Sequence, residues 1–249
     1  MEADAYMLMA AHETHHWWFV GRRAVIRGLL ARMDLPEQAR VVEAGCGTGG
    51  NLYMLQRHGR VFAFEPHDEA VEIARQRNPD VVVASGAIPD ESPFEEGSFD
   101  LVAALDVLEH VEDDAAAMRS LVRLGKPGAY VLVTVPAHQA LWGSHDRRLH
   151  HVRRYSAARL RALCDVPGIE IEYFGAFNTV LAPIAVTMRL LERFTPLRFG
   201  NQERMPAPTA NRVLSALFSL EGWIVQRFRI PFGLSYAAIL RVSTTQSEP

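Results

Sequence analysis

Short, unbroken apolar runs alternate with segments of helical spacing over the first half of the chain. Residues 22–33 carry apolar side chains at helical intervals, and Pro36 punctuates the end of that element. Buried strands are predicted at 40–44, 61–64, 81–83, 101–105 and 130–135, each too short for a helix. Helices are predicted through Leu52 and Leu55, over 68–76 and over 113–124, with Lys126-Pro127-Gly128 as a turn. Strands alternating with helices imply a mostly parallel sheet with helices on both faces. Past Val135 the rhythm changes. A helix is predicted at 152–163 and a strand at 169–174. An apolar helical stretch over 180–228 is broken by a Pro/Gly/Asn-rich segment at 196–211, and a last strand at 235–240 precedes a polar tail.

Composition narrows this to an α/β class. The 249 residues, 49% hydrophobic and 22% charged, suit one folded domain over 1–249 rather than a disordered chain. A net charge of -3 gives no global pull toward nucleic acid or an anionic membrane, so nucleic acid is a disfavoured partner. Cys46 and Cys164 are the two cysteines, and Cys46 lies in a glycine-rich segment; a disulfide framework is not expected and a reducing cytoplasm is the default compartment. The N-terminus shows no basic segment followed by an apolar run, as a secretory signal would. No stretch reaches the roughly 18–20 apolar residues that span a bilayer.

Gly45-Cys46-Gly47-Thr48-Gly49-Gly50 sits between a predicted strand and a predicted helix, where a turn and a close ligand demand glycine. Gly45, Gly47 and Gly50 also satisfy the spacing of a dinucleotide fingerprint, with Glu65 about 20 residues on from the loop. Glu43 separates the two readings. A pyrophosphate at the following helix start would meet this carboxylate, whereas the amino group and sulfonium of S-adenosylmethionine are cationic and would be attracted. The plainer alternatives are that Glu43 caps nearby amides and that Glu65 is a solvated strand end.

Several blocks extend the match: Val-Val-Glu-Ala-Gly-Cys-Gly-Thr-Gly (41–49), Phe-Glu-Pro (64–66), Ser-Phe-Asp-Leu-Val (98–102), Leu-Asp-Val-Leu-Glu-His-Val (105–111) and Lys-Pro-Gly (126–128). In this order they resemble the class I, Rossmann-like family of S-adenosylmethionine-dependent methyltransferases over residues 41–136. The resemblance implies a seven-stranded, mostly parallel sheet with helices on both faces and a helical insertion before the last strand. It implies S-adenosyl-L-methionine as cofactor and S-adenosyl-L-homocysteine as product. Family roles in holding them fall on Glu43, Gly45, Gly47, Gly49, Asn51, Glu65, Pro66, Gly86, Ala87, Ile88, Leu105 and Asp106. Many relatives place an acid after the glycine that follows the third strand; here Gly86-Ala87-Ile88-Pro89 has none, and adenine contact would rest on backbone and Ile88.

Methyl transfer from a sulfonium needs alignment of the nucleophile and, for some acceptors, removal of a proton. His145, in a loop at the carboxyl end of the sheet, is the first candidate base, and His110, after the fourth strand, the second. Trp142, Asp146, Arg153, Arg154 and Tyr155 in that loop are candidates for substrate contact, the arginines for an anion. Loop fastening and solvated arginines are the plainer readings. No metal set is found: His12, His15 and His16 cluster, but nothing completes a site. The run His15-His16-Trp17-Trp18-Phe19, followed by Arg22 and Arg23, resembles one branch of the family together with the later His-Asp and Arg-Arg-Tyr elements; it is read as part of a lid over 1–20 that sets Trp18 and Phe19 against the cofactor.

Residues 179–230 are read as a helical insertion. Leu190, Leu191, Phe194, Leu214, Leu217, Phe218, Trp223 and Ile224 recur at helical spacing, so the face must be covered. It would roof a substrate pocket, form a homodimer interface or, less favoured, lie on a membrane with Arg189, Arg193, Arg227 and Arg229 toward lipid. An apolar roof beside an arginine-rich loop suggests a small methyl acceptor that is amphiphilic or anionic: a natural product, an isoprenoid or a lipid-like acid. An NAD-dependent oxidoreductase, a nucleic-acid methyltransferase and a non-catalytic cofactor-binding subunit are the alternatives.

Overall fold

The computed structural model describes residues 7, 10–194 and 205–244. Among these, seven strands form one sheet in the order β3-β2-β1-β4-β5-β7-β6. They are β1 (Ala39–Ala44), β2 (Gly59–Glu65), β3 (Val82–Ser85), β4 (Phe99–Leu105), β5 (Gly125–Pro136), β6 (Ile169–Phe177) and β7 (Ser235–Val242). β1 runs parallel to both β2 and β4, with Val41 opposite Val61 on one side and Leu101 on the other. Only the last strand departs: β7 lies antiparallel between β5 and β6. The chain order reverses at β1, so the carboxyl ends of β1 and β4 flank the crevice where ligands of open α/β sheets bind.

Successive strand residues point to opposite faces, and the chain fills both with apolar side chains. Val41, Val61, Ala63, Leu101, Ala103, Leu132 and Ile239 build one core with α1 (Trp17–Leu30), α2 (Leu52–Leu55), α3 (Asp68–Arg77) and α8 (Pro208–Arg227). Val42, Phe62, Phe64, Val102, Val131, Val133 and Leu240 build the other with α4 (Asp114–Leu124) and α6 (Ala157–Cys164). The short α5 (Ser144–Arg148) and α7 (Ala182–Phe194) complete the helices that follow β5 and β6.

Three boundaries differ from the sequence pattern. The first helix starts at Trp17, not Arg22, because the His16 side chain accepts the Trp18 N–H and caps it. Residues 152–156 are not helical: Tyr155 pairs with Ala137 in extended form, and the Ser156 hydroxyl accepts the Arg159 N–H to start α6. Lys126-Pro127-Gly128 lies within the irregular start of β5 rather than in a separate turn.

The stretch read as an insertion is welded to the body on one side. α8 turns Phe218, Glu221, Gly222 and Val225 inward, spacings that put them on one face. Gly28 and Gly222 let α1 and α8 meet backbone to backbone: a Cβ on Gly28 would stand 2.0 Å from the Gly222 carbonyl oxygen. Arg32 closes the carboxyl end of α8 by donating to the carbonyls of Val225 and Gln226. Glu221 accepts the amides of Thr179 and Val180, fixing the start of the α7 segment. Residues 196–204 of the expected break, and the side chains of Arg189, Leu190, Arg193 and Phe194, lie outside the described residues.

Candidate functional site

The loop after β1 has the backbone shape only glycine takes readily. Gly45, Gly47 and Gly49 have φ of 67°, 53° and 81°, and a Cβ on Gly45 would press on Val107 at 2.8 Å. Glu65, at the end of β2, accepts the Gly47 N–H at 3.0 Å through one oxygen and contacts His67 Nδ1 at 2.9 Å through the other. It is therefore a buried brace for the loop, not a solvated strand end. Pro66 beside it is exposed.

Glu43 is 1% exposed. One of its oxygens accepts from the Asn51 amide at 2.7 Å, and the other has no hydrogen-bond partner. It caps no backbone amide. Burial, only partly offset by Asn51 and Arg22, pushes its pKa up to about 7. A buried carboxylate oxygen left unpaired at the edge of a glycine loop fits a cationic amino group, which would supply the missing charge and donors. A pyrophosphate would not.

The carboxyl end of β4 forms the opposite wall. Asp106 adopts a φ of 60°, uncommon for a non-glycine residue, and is held there by three bonds. Its amide donates to the Thr134 carbonyl at 3.0 Å, its carboxylate accepts from the Thr134 hydroxyl at 3.0 Å and from Arg22 Nε at 2.7 Å. Leu105 before it is buried. Arg22 lies 5.3 Å from the Trp18 ring centre, and Trp18 meets Phe19 edge to face at 5.0 Å. Gly86 donates to the Glu65 carbonyl, Ala87 pairs with Glu91, and Ile88 is buried in the second core.

The N-terminal segment closes a third side. Glu13 is 5% exposed, packs where a Cβ of Gly50 would lie, and pairs with Arg77, which also donates to the Thr48 carbonyl at 2.9 Å. Asn211 at the start of α8 bonds both the Trp17 amide, at 2.8 Å, and the His15 carbonyl, at 2.7 Å. Residues 10–20 are thus fastened to the glycine loop, α3 and α8. From Trp17 onward the expected lid is the core helix α1.

In the loop after β5, four of the candidates for substrate contact are tied to the chain itself. Tyr155 is fully buried; its hydroxyl donates to Asp114 at 2.9 Å, and burial, helped by that carboxylate, pushes its pKa up. Asp146 is fully buried and accepts from the Gly143 amide, Arg154 and the His151 ring, which together hold its pKa down against desolvation. Arg154 also donates to the Ala137 carbonyl, and Arg153 is spent on Asp114 and the carbonyls of Val111 and Glu112. Their charges are satisfied within the chain, so none is presented to an anion. Trp142 and His145 are partly exposed in the same loop, with the His145 ring 6.4 Å from that of His151. His110 reaches solvent along one edge, yet the protein around it and His151 hold its pKa down to about 4. It is a neutral imidazole at pH 7.

Sequence reasoning gave no role to Glu13, which shows no motif, to Arg22, met only as one of the arginines after the His-Trp-Trp-Phe run, or to Glu109 and His151, which only the fold brings together. The strand order, glycine loop and two acidic strand ends define a class I methyltransferase fold. Residues 17–172 match the family described as a methyltransferase domain, and the chain belongs to this family of S-adenosylmethionine-dependent enzymes. It is 31% identical over 160 residues to a Mycolicibacterium smegmatis protein named as an S-adenosylmethionine-dependent methyltransferase, covering 63% of this chain and 61% of the relative. It is 35% identical over 109 residues to the ubiquinone biosynthesis O-methyltransferase of Xanthomonas oryzae pv. oryzae, covering 42% of this chain and 45% of that one. A methyltransferase in complex with the Haloferax volcanii Trm112 methyltransferase activator shares the fold, with a TM-score of 0.62 and 20% identity over 99% of this chain and 96% of its own.

Proposed function

We propose that the chain transfers the methyl group of S-adenosylmethionine to a small amphiphilic acceptor. Glu43 and the loop from Gly45 to Asn51 hold the amino-acid end of the donor, and Glu65 takes the ribose by exchanging its contact with His67. When bound, the donor supplies an activated methyl, so the chain's task is to align an acceptor atom beside Asp106 and to exclude water.

One observation carries the amphiphilic reading. α8 is apolar on both faces: Phe218 and Val225 are buried, while Val213, Leu217, Leu220 and Trp223 are exposed. Its first turn is tied by Asn211 to the residues that close the site. An apolar outer face rooted at the site mouth suits the tail of an amphiphile, each buried methylene contributing about 0.8 kcal/mol. The 35% identical ubiquinone biosynthesis O-methyltransferase makes an oxygen acceptor the first to try. The expectation that Arg227 and Arg229 face lipid gains no support: Arg227 lies over Trp223, and Arg229 donates to the Glu172 carbonyl. No described helix is long and apolar enough to cross a membrane.

The test is transfer of labelled methyl to a phenol carrying an isoprenoid tail and to the same phenol without it. A kcat/KM at least about tenfold higher for the tailed phenol supports the reading. Equal values, or no methylation of either by protein that binds S-adenosylhomocysteine, would sink it.

A further inference from the structure

Glu109 and His110 sit in the turn Leu108–His110 that follows β4, and His151 follows α5. The fold brings these two distant segments side by side, the Val152 amide donating to the Glu109 carbonyl at 2.7 Å. One ligating atom from each of Glu109, His110 and His151 lies within 4.8 Å of the others. The two imidazole rings meet edge to face with centres 4.8 Å apart.

We propose that Glu109, His110 and His151 bind a divalent transition-metal cation, of which Zn²⁺ is the best suited. Glu109 is 1% exposed, and neither carboxylate oxygen has a hydrogen-bond partner. An acid buried that way is costly unless something pairs with it. A cation on Glu109 removes that cost directly.

The rest of the arrangement has the features of a metal centre. Asp146 contacts His151 Nδ1 at 3.0 Å, which leaves Nε2 as the ligand atom and fixes the ring, as a carboxylate does behind a metal-bound histidine. His110 is the exposed member of the three, and that edge is the way in for an ion. The local charge is favourable, since three acids, Asp106, Glu109 and Asp146, stand with two arginines, Arg22 and Arg154. Two imidazoles and a carboxylate are donors that Zn²⁺ accepts, with bonds near 2.1 Å and ligand atoms about 3.4 Å apart in a tetrahedral site. Closing from 4.8 Å takes about an ångström of side-chain rotation. Three protein ligands leave a coordination position for water or for an oxygen of a bound molecule. His110 then acts as a ligand, not as a general base.

The experiment is a Co²⁺ titration of the chelator-treated full chain, read by visible absorption and by Zn²⁺ competition, with no activity assay. One equivalent should bind with the absorption of nitrogen and oxygen ligands and be displaced by Zn²⁺. Glu109→Gln and His151→Ala should abolish that signal, and Asp146→Asn should weaken it about 10–100-fold. His110→Ala alters a side chain with an exposed edge and so tests the site should a buried variant fail to fold. Absence of Co²⁺ uptake by the parent chain overturns the proposal and leaves Glu109 as a buried acid without a cation. Uptake unchanged in His110→Ala and Glu109→Gln overturns it as well, and places the ion elsewhere, on His12 and His15 for example.

Discussion

Arg22 Nε donates to Asp106 Oδ2 at 2.7 Å, tying the first turns of α1 to the residue that ends β4 in a left-handed conformation. The arginine side chain is 7% exposed and the aspartate 21%, so each neutralises a charge that water reaches poorly. Such backbone strain costs about 1–3 kcal/mol and persists only where the surroundings over-determine it. Here the determinants are Arg22 and Thr134.

Arg22→Ala should therefore leave Asp106 with Thr134 alone and cost roughly 2–4 kcal/mol of stability, short of the loss for a fully orphaned buried charge. Urea unfolding measures this. Affinity for S-adenosylhomocysteine should fall as well, because Trp18 loses the guanidinium beside it. A variant as stable as the parent would show that the pair holds nothing in place.

Glu43 makes binding of the donor pH-dependent. Burial raises its pKa to about 7, whereas a bound ammonium favours the carboxylate. Affinity should strengthen as pH rises through about 7 and level off above it, and should weaken steadily as pH falls from 7 to 5.5. Calorimetric titration with S-adenosylhomocysteine over that range reads the effect, and Glu43→Gln should flatten the profile. The same raised pKa acts on folding with opposite sign. The folded chain holds a proton that the unfolded chain releases from about 4.5 upward, so Glu43 lowers stability as pH rises from about 4.5 through about 7. Glu43→Gln should thus stabilise the cofactor-free protein at pH 8, by up to about 3.5 kcal/mol at roughly 1.4 kcal/mol for each pH unit of the shift from 4.5 to about 7.

The succession of strands along the chain and the cradle were legible because they are local. Apolar runs between helical segments mark β1 to β5, and a glycine loop with an acid on either side needs only the chain around it. The loop after β5 was legible as unusual but not in its role. Arg154 and Tyr155 look like functional groups in the sequence, and their partners Asp146 and Asp114 become visible only when distant segments fold together. Glu109 and His151 are hidden for the same reason. No spacing rule joins a residue after β4 to one after α5. The two-faced character of α8 was only half legible, since periodicity reveals an apolar stripe but not the glycines that seat it on α1.

Tyr155 and Arg154 should accordingly behave as structural residues. Tyr155→Phe deletes a buried hydroxyl that donates to Asp114 and lies 3.1 Å from the Leu108 carbonyl. The expected cost is about 1–3 kcal/mol, with KM for a methyl acceptor unchanged in the folded fraction. Arg154→Ala, which leaves Asp146 with the Gly143 amide and His151, should cost more. A large rise in KM at unaltered stability would restore these residues to the substrate site.

The seat of α8 on α1 gives the sharpest steric prediction. At Gly28 a methyl group would stand 2.0 Å from the Gly222 carbonyl oxygen and 3.0 Å from Val225 Cγ2. Backbone cannot rotate out of the way as a side chain does. Gly28→Ala, although favourable to an isolated helix by about 1 kcal/mol, must therefore push α8 outward. The displacement separates Arg32 from the carbonyls it caps and lifts Asn211 from the residues that close the site. The expected result is a net loss of about 1–3 kcal/mol together with weaker binding of S-adenosylhomocysteine. Gly97→Ala is the comparison, because a Cβ there meets nothing within 4 Å and the strain comes only from its φ of 65°. It should lower stability by about 1 kcal/mol and leave cofactor affinity as it is. If Gly28→Ala binds S-adenosylhomocysteine as well as Gly97→Ala does, the close approach of the two helices has no part in shaping the site.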